Sequence, residues 1–455
     1  MNRYRGCVSL LLLALAGCGS GTASTHEPIV TGGPDHDALM ALALPAEPSA
    51  PADASNHWAD DAQAAAFGQR LFFEPGFSGR LLDGDNDGSA HALGNRNDTG
   101  KVACAGCHLP AAVFADSRSL RQQISLAAGW GKRRAPSLLD VAQSKLLMWD
   151  GRRDALYNQV FGVIESPVEM NSSRLFAAER VFALHRAEYE SIFGPLPALD
   201  QATEFPALAP TSTGCSELDQ VARTCKGEEH GIPGDGAEYD HLSATDQTAV
   251  TQVVVNVGKA LGAYERLLSC GTTRFDQWLS GQADALDASE QRGAALFVGK
   301  GKCVSCHSGP YLSDEKFHNV GLQPTVVATV FIDADDPGAS VGLAATVQDQ
   351  LNVHGQFSDG DDGRDPVTVD ASALGAFRTP KLRCVAGRPS FMHTGQFSAL
   401  SDVVAFFSRG GDEFGYPGTN ELVALNLSAD ERADLVAFLG ALSGPGPRPE
   451  LLSSP

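Results

Sequence analysis

One pentapeptide occurs twice in this chain, as Cys104-Ala105-Gly106-Cys107-His108 and as Cys303-Val304-Ser305-Cys306-His307. Two thiols on one side of a helical turn can form thioethers to both vinyl groups of a haem, and the adjacent histidine is then held under the ring with a neutral imidazole for iron. A single copy reads as easily as a zinc half-site or a redox dithiol. Two copies, each with its histidine, imply two covalently attached c-type haems, bound through Cys104, Cys107, Cys303 and Cys306, with His108 and His307 on the irons.

Such a chain is expected to be exported, and its first residues agree. Residues 1–18 hold Arg3 and Arg5, the apolar run Val8 to Ala16, then Leu15-Ala16-Gly17-Cys18. The apolar core is too short to span a bilayer and ends in small residues, as a signal peptide does. Leu-Ala-Gly-Cys resembles the lipobox of bacterial lipoproteins, which predicts a lipid anchor on Cys18 at a periplasm-facing membrane and no other membrane contact. Residues 19–56, rich in Ala, Pro, Gly, Ser and Asp, read as a flexible linker.

Of ten cysteines, two lie in the leader and four in the haem motifs, leaving Cys215, Cys225, Cys270 and Cys384. An even remainder in an oxidising compartment suggests disulfides, with Cys215 and Cys225 the preferred pair in one polar loop and Cys270 with Cys384 the remainder. A net charge of −21, from 34 basic and 55 acidic residues, argues against nucleic acid and for a basic or neutral electron donor. The run Asp83-x-Asp85-x-Asp87-Gly88 opens like a calcium loop, but its twelfth position is Gly94 instead of the bidentate Glu, so calcium is a doubtful ligand. Helices are expected over Asp61 to Phe73, ended by Pro75-Gly76, and over Ser428 to Leu442, where Ser428 and Glu431 have capping-box spacing.

Between these landmarks lie Phe114-Ala115-Asp116, Ala135-Pro136-Ser137-Leu138, Met148-Trp149-Asp150-Gly151-Arg152, and Gln159 followed ten residues on by Glu169 in Pro167-Val168-Glu169-Met170. Later come Tyr264-Glu265-Arg266, Phe275-Asp276, Phe317-His318-Asn319, Phe377-Arg378-Thr379-Pro380 and Met392-His393. In their order and spacing these runs resemble the bacterial di-haem cytochrome c peroxidase family, which includes MauG-type enzymes, from about Trp58 to Leu442. The resemblance implies a mainly α fold of two cytochrome c-like domains, each with one covalently bound c-type haem. Residues 57–280 would form the N-terminal, peroxidatic domain, with residues 171–280 as its helical insert, and residues 281–445 the C-terminal, electron-transfer domain.

It also implies hydrogen peroxide as substrate and a small cytochrome c or cupredoxin as electron donor, and many of the relatives it resembles are homodimers. Glu169 takes the position of the family's proton-shuttling glutamate, Gln159 that of its hydrogen-bonding neighbour, and Trp149 that of the tryptophan between the haems. A carboxyl in an apolar pocket suits the shuttle because desolvation raises its pKa towards the working pH. Ten residues span about 15 Å of continuous helix, so Gly162 and Pro167 imply that the chain folds back to bring Gln159 and Glu169 together.

Three positions depart from the family. Ala128 replaces the loop histidine that closes the first haem in many peroxidases, so this haem is expected to be open, as in the MauG type. Phe407 stands where the second haem takes Met or Tyr, and phenylalanine has no lone pair for iron, so either this site is five-coordinate, or another residue such as Met392 reaches in as sixth ligand, or the match to the family is displaced by a residue. Arg134 replaces an asparagine ligand of the interhaem calcium, and its fixed charge suits a haem propionate or stands in for the ion. His318 and His393 read as structural histidines near the second haem. Three functions are therefore expected in order: peroxide reduction, MauG-like oxidation of a partner protein's tryptophan or tyrosine, and plain electron transfer. The third has no need of Gln159 and Glu169.

Overall fold

The computed structural model describes residues 34–118, 124–324 and 333–455. The leader, with the proposed lipid-bearing Cys18, lies outside them. Among the described residues no helix is long and apolar enough to cross a membrane. The helices are α1 (Pro34–Met40), α2 (Ala62–Phe72), α3 (Cys104–Cys107), α4 (Gln159–Ile164), α5 (Arg174–Phe193), α6 (Ala244–Glu265), α7 (Arg274–Leu279), α8 (Ala288–Val298), α9 (Ala339–Gln348), α10 (Leu400–Arg409) and α11 (Ala429–Ala441). The one described sheet is a two-stranded antiparallel pair, β1 (Phe317–His318) with β2 (Phe377–Arg378).

Sequence chemistry sets these boundaries. The Asp61 carboxylate caps α2 by accepting from the Gln63 and Ala64 amides, and Pro75 opens a 3-10 turn just beyond the helix. Full capping boxes start α7 (Thr273 and Asp276), α8 (Asp287 and Glu290) and α11 (Ser428 and Glu431), the last as its spacing predicts. Helix α6 is buried on nearly every side from Val250 onward, as expected of a central helix. It packs along α2 so closely that a Cβ on Gly68 would lie 1.9 Å from the Ala260 carbonyl oxygen.

Two large apolar cores result. The first gathers α2, α4, α5 and α6 around Phe67, Phe72, Phe161, Tyr157 and Tyr264, and the second gathers α7, α8 and α11 around Phe275, Phe297 and Phe438. The chain crosses between them more than a linear division at residue 280 implies. Leu351, Val353, Phe357 and Leu451 return to the first core.

The linker reading needs correction for its described part. Helix α1 docks on the second core through Leu39 and Leu42, which are 1% and 0% exposed. The Leu44 amide donates to Asp276, and the Arg383 guanidinium donates to the Leu42 carbonyl. Two apolar residues in a run of Ala, Pro and Asp suffice to anchor a strap when a buried ion pair satisfies its backbone. Both disulfides form, Cys215 to Cys225 and Cys270 to Cys384. The second ties the end of the first core to the loop before α10.

Candidate active site

Each pentapeptide makes the same short turn: the His108 amide donates to the Cys104 carbonyl and the His307 amide to the Cys303 carbonyl, both at 2.9 Å. This places each pair of thiols and its histidine on one wall of a cavity of about 470 Å³. Both histidines are oriented alike, Nδ1 of His108 lying 3.0 Å from the Phe114 carbonyl oxygen and Nδ1 of His307 2.9 Å from that of Leu312. Both accepting residues have positive φ, 57° and 52°. A side-chain residue held in this sparsely populated region aims its carbonyl at the ring, commits Nδ1 as donor and leaves Nε2 for a metal. Burial lowers the pKa of His108 and pushes His307 down to about 4, so both are neutral imidazoles at physiological pH.

The first cavity brings together Cys104, Cys107, His108, Trp149, Gln159 and Glu169. The fold-back is made by short-range bonds: the Met170 amide donates to the Val163 carbonyl, and the Glu169 and Asn171 amides both donate to that of Ser166. Glu169 Oε2 is buried without a hydrogen-bond partner, while Oε1 is 3.9 Å from Arg152. Burial raises the Glu169 pKa above the ordinary carboxylate value, against the opposing pull of Arg152 and Arg153. Ala128, fully buried, donates its amide to the Glu169 carbonyl, so the position without a histidine lies directly against the glutamate's backbone.

The second cavity is lined by Cys303, Cys306, His307, Met392, His393 and Phe407, among others. The structure thus places both Met392 and Phe407 at its wall. His318 is held between Asp314 (3.0 Å) and Glu421 (2.7 Å), a satisfied structural histidine as expected. His393 differs: its ring stacks on Phe377 at 3.6 Å, its Nε2 is buried with no partner, and burial pushes its pKa down to about 3.

Trp149, Arg134 and Arg378 line both cavities. The Trp149 indole N–H donates to the Arg134 carbonyl at 2.8 Å, and the Arg134 amide donates to that of His393. The Arg134 side chain also donates to the Asp116 carbonyl. In the proposed calcium loop, Asp83 accepts from the Asp85 amide, Asp85 from the Trp130 indole and Asp87 from the Ser89 amide. The described group of three metal-type donors is instead Cys215, Cys225 and Glu229, whose two sulfurs are committed to the disulfide.

The residues present fit two haems. Beyond the thiol pairs and histidines, the second cavity carries Arg378, Lys381 and Arg388. Glu315 pairs with the first two, at 3.3 Å and 2.7 Å, whereas Arg388 Nε is buried without a partner. Burial pushes Lys381 down to about 8 and Arg388 down to about 10. Surplus positive charge in an apolar cavity is costly unless an anion arrives, and a haem propionate is such an anion. The sequence offered no signal for Arg388. It did offer Glu265, within a quoted motif, but without a role: this residue is 6% exposed, lines the first cavity and accepts from Gln159 Nε2 at 2.5 Å.

Comparison with known proteins gives consistent results. A family model described as di-haem cytochrome c peroxidase matches residues 62–284. The chain is 28% identical over 407 residues to cytochrome-c peroxidase IdrP1 of Denitromonas iodatirespirans, covering 87% of this chain and 85% of that protein. It is 29% identical over 385 residues to methylamine utilization protein MauG of Methylorubrum extorquens, covering 84% and 78%. Among solved structures, the diheme peroxidase BthA of Burkholderia thailandensis superposes with a TM-score of 0.56 at 21% identity, covering 85% of this chain and 87% of that one, a likeness of fold.

Proposed function

Because the chain belongs to the di-haem cytochrome c peroxidase and MauG family, we propose that it reduces hydrogen peroxide to water with two electrons from a small external redox protein. When bound, a haem on Cys104, Cys107 and His108 supplies the iron at which the O–O bond is cleaved, and one on Cys303, Cys306 and His307 supplies a second electron store. The two c-type haems follow from the family; the residue roles are our reading. Glu169 takes a proton from one peroxide oxygen and returns it to the other, which leaves as water. Burial suits it to the exchange, because desolvation raises its pKa above the ordinary carboxylate value and makes it a better proton acceptor. Gln159 hydrogen-bonds and orients the peroxide. Trp149, common to both cavities, relays electrons between them. Two protons and two electrons complete the conversion to two waters.

The observation that carries this reading is the convergence of Gln159 and Glu169 with His108 in one cavity by reversal of the chain. Fusion of the two cores into cytochrome c-like domains, export, and a lipid anchor on Cys18 belong to the same proposal. The test is low-temperature EPR of the ferric protein before and after one equivalent of peroxide, followed by steady-state turnover with a reduced small cytochrome. A high-spin signal consumed by peroxide, with donor oxidation, is expected. Two low-spin signals unmoved by peroxide shift the choice to a reductively activated peroxidase or an electron carrier, and the absence of donor oxidation in turnover as well would sink the proposal. A second reading, oxidation of a partner protein's aromatic side chain, is favoured by Ala128 beside Glu169, where a loop histidine would otherwise stand.

A further inference from the structure

The first cavity holds a second buried carboxyl. Glu265 closes α6 with 6% of its surface exposed, and its side chain accepts from Gln159 Nε2 at 2.5 Å. We propose that Glu265 is a positioning residue for Gln159, fixing which edge of its amide faces the peroxide. The assignment rests on the peroxide reading of this cavity. A primary amide has a donor edge and an acceptor edge in one plane. With its nitrogen held by Glu265, Gln159 turns its oxygen the other way, as an acceptor. Hydrogen peroxide is a donor at both oxygens, so an acceptor in fixed orientation holds the peroxide proton in line for Glu169.

The pairing is built by the backbone. Gln159 opens α4, and Leu156 and Tyr157 just upstream of it rest on α6: a Cβ on Gly258 would lie 2.0 Å from the Tyr157 carbonyl oxygen, and one on Gly262 would lie 3.0 Å from Leu156 Cβ. Both neighbours of Glu265 are tied down. The Tyr264 hydroxyl donates to the Leu451 carbonyl at 2.6 Å, and Arg266 donates to Asp60 and to the Pro51 carbonyl at 2.7 Å each. A carboxyl so placed in an apolar cavity is expensive and is retained where its hydrogen bond sets a geometry. Its environment agrees, since burial pushes its pKa up to about 8 and the Gln159 bond is the influence that opposes this.

The test is a double-mutant cycle on the haem-loaded protein, read by the association rate of potassium cyanide at the first haem and by kcat and KM for peroxide. Cyanide binding needs a proton acceptor in the cavity but no turnover, so a wild type that binds cyanide and ignores peroxide sinks the peroxide reading while leaving the cycle readable. E265L is expected to slow cyanide association and lower kcat for peroxide about tenfold, with KM little changed. E265Q, whose amide oxygen still accepts from Gln159, is expected to stay within about threefold of wild type. In a Q159L background E265L is expected to add nothing, because residues acting through one another are not additive. If E265L fails to load haem, E265S, too short to reach Gln159, replaces it in the same cycle. Full additivity with Q159L, or an E265L protein indistinguishable from wild type, overturns the proposal.

Discussion

In the proposed reading, Glu169 and Glu265 do different work in one cavity. Glu169 has a buried oxygen without a partner and a guanidinium 3.9 Å from the other, so it is free to exchange a proton. Replacement by glutamine is expected to lower kcat/KM for peroxide about 100- to 1,000-fold, with haem content and the second haem's EPR signal unchanged. Stopped-flow mixing with peroxide measures this directly. Glu265 has a consequence for stability. Its pKa in the folded protein, about 8, lies above its ordinary value, so the folded state binds more protons. Its favourable contribution is therefore complete below the ordinary glutamate range and is lost as pH rises towards 8. Thermal unfolding of the wild type is expected to fall to lower temperature between pH 5 and pH 8.5, and of E265Q to fall less.

At the level of elements, close helix contacts and buried ion pairs set the positions that residues then exploit. Gly258→Ala puts a methyl into the Tyr157 carbonyl, and is expected to cost about 1–3 kcal/mol while parting Gln159 from Glu265. Denaturant unfolding and the cyanide rate report the two effects separately. Asp276 and Arg383, 8% and 1% exposed, pair at 2.7 Å and 2.9 Å and also hold the α1 strap. Asp276→Asn leaves a buried guanidinium without its counter-charge. It is expected to cost about 3–5 kcal/mol and to expose residues 34–44 to limited proteolysis. This strap marks a limit of sequence reading. The haem turns, α2 and α11 were legible because caps and C-x-x-C-H spacing are local signals. The docking of Leu39 and Leu42 depends on partners hundreds of residues away, and so leaves no local trace. The same holds for Glu265, whose bond to Gln159 spans 106 residues, and for Arg388. The reversal between Gln159 and Glu169 was legible because Gly162 and Pro167 are themselves local punctuation.

Across the whole molecule, the cavities share Trp149, Arg134 and Arg378, so a change at this wall registers in both. Trp149→Phe keeps an aromatic side chain but loses the bond to the Arg134 carbonyl and the oxidisable indole. Donor-dependent turnover is expected to fall about tenfold or more, while direct reaction of the first haem with one equivalent of peroxide persists. The Cys270–Cys384 bridge acts at the same scale. It closes a loop of 114 residues, worth about 4–5 kcal/mol by chain entropy, and the C270S/C384S pair is expected to unfold at correspondingly lower denaturant. That loop also contains Cys303, Cys306 and His307. On the proposed haem attachment, two covalent reactions, sulfur oxidation and thioether formation, therefore compete for thiols on one nested segment during biogenesis. The order in which a cell performs them becomes part of how this protein is made.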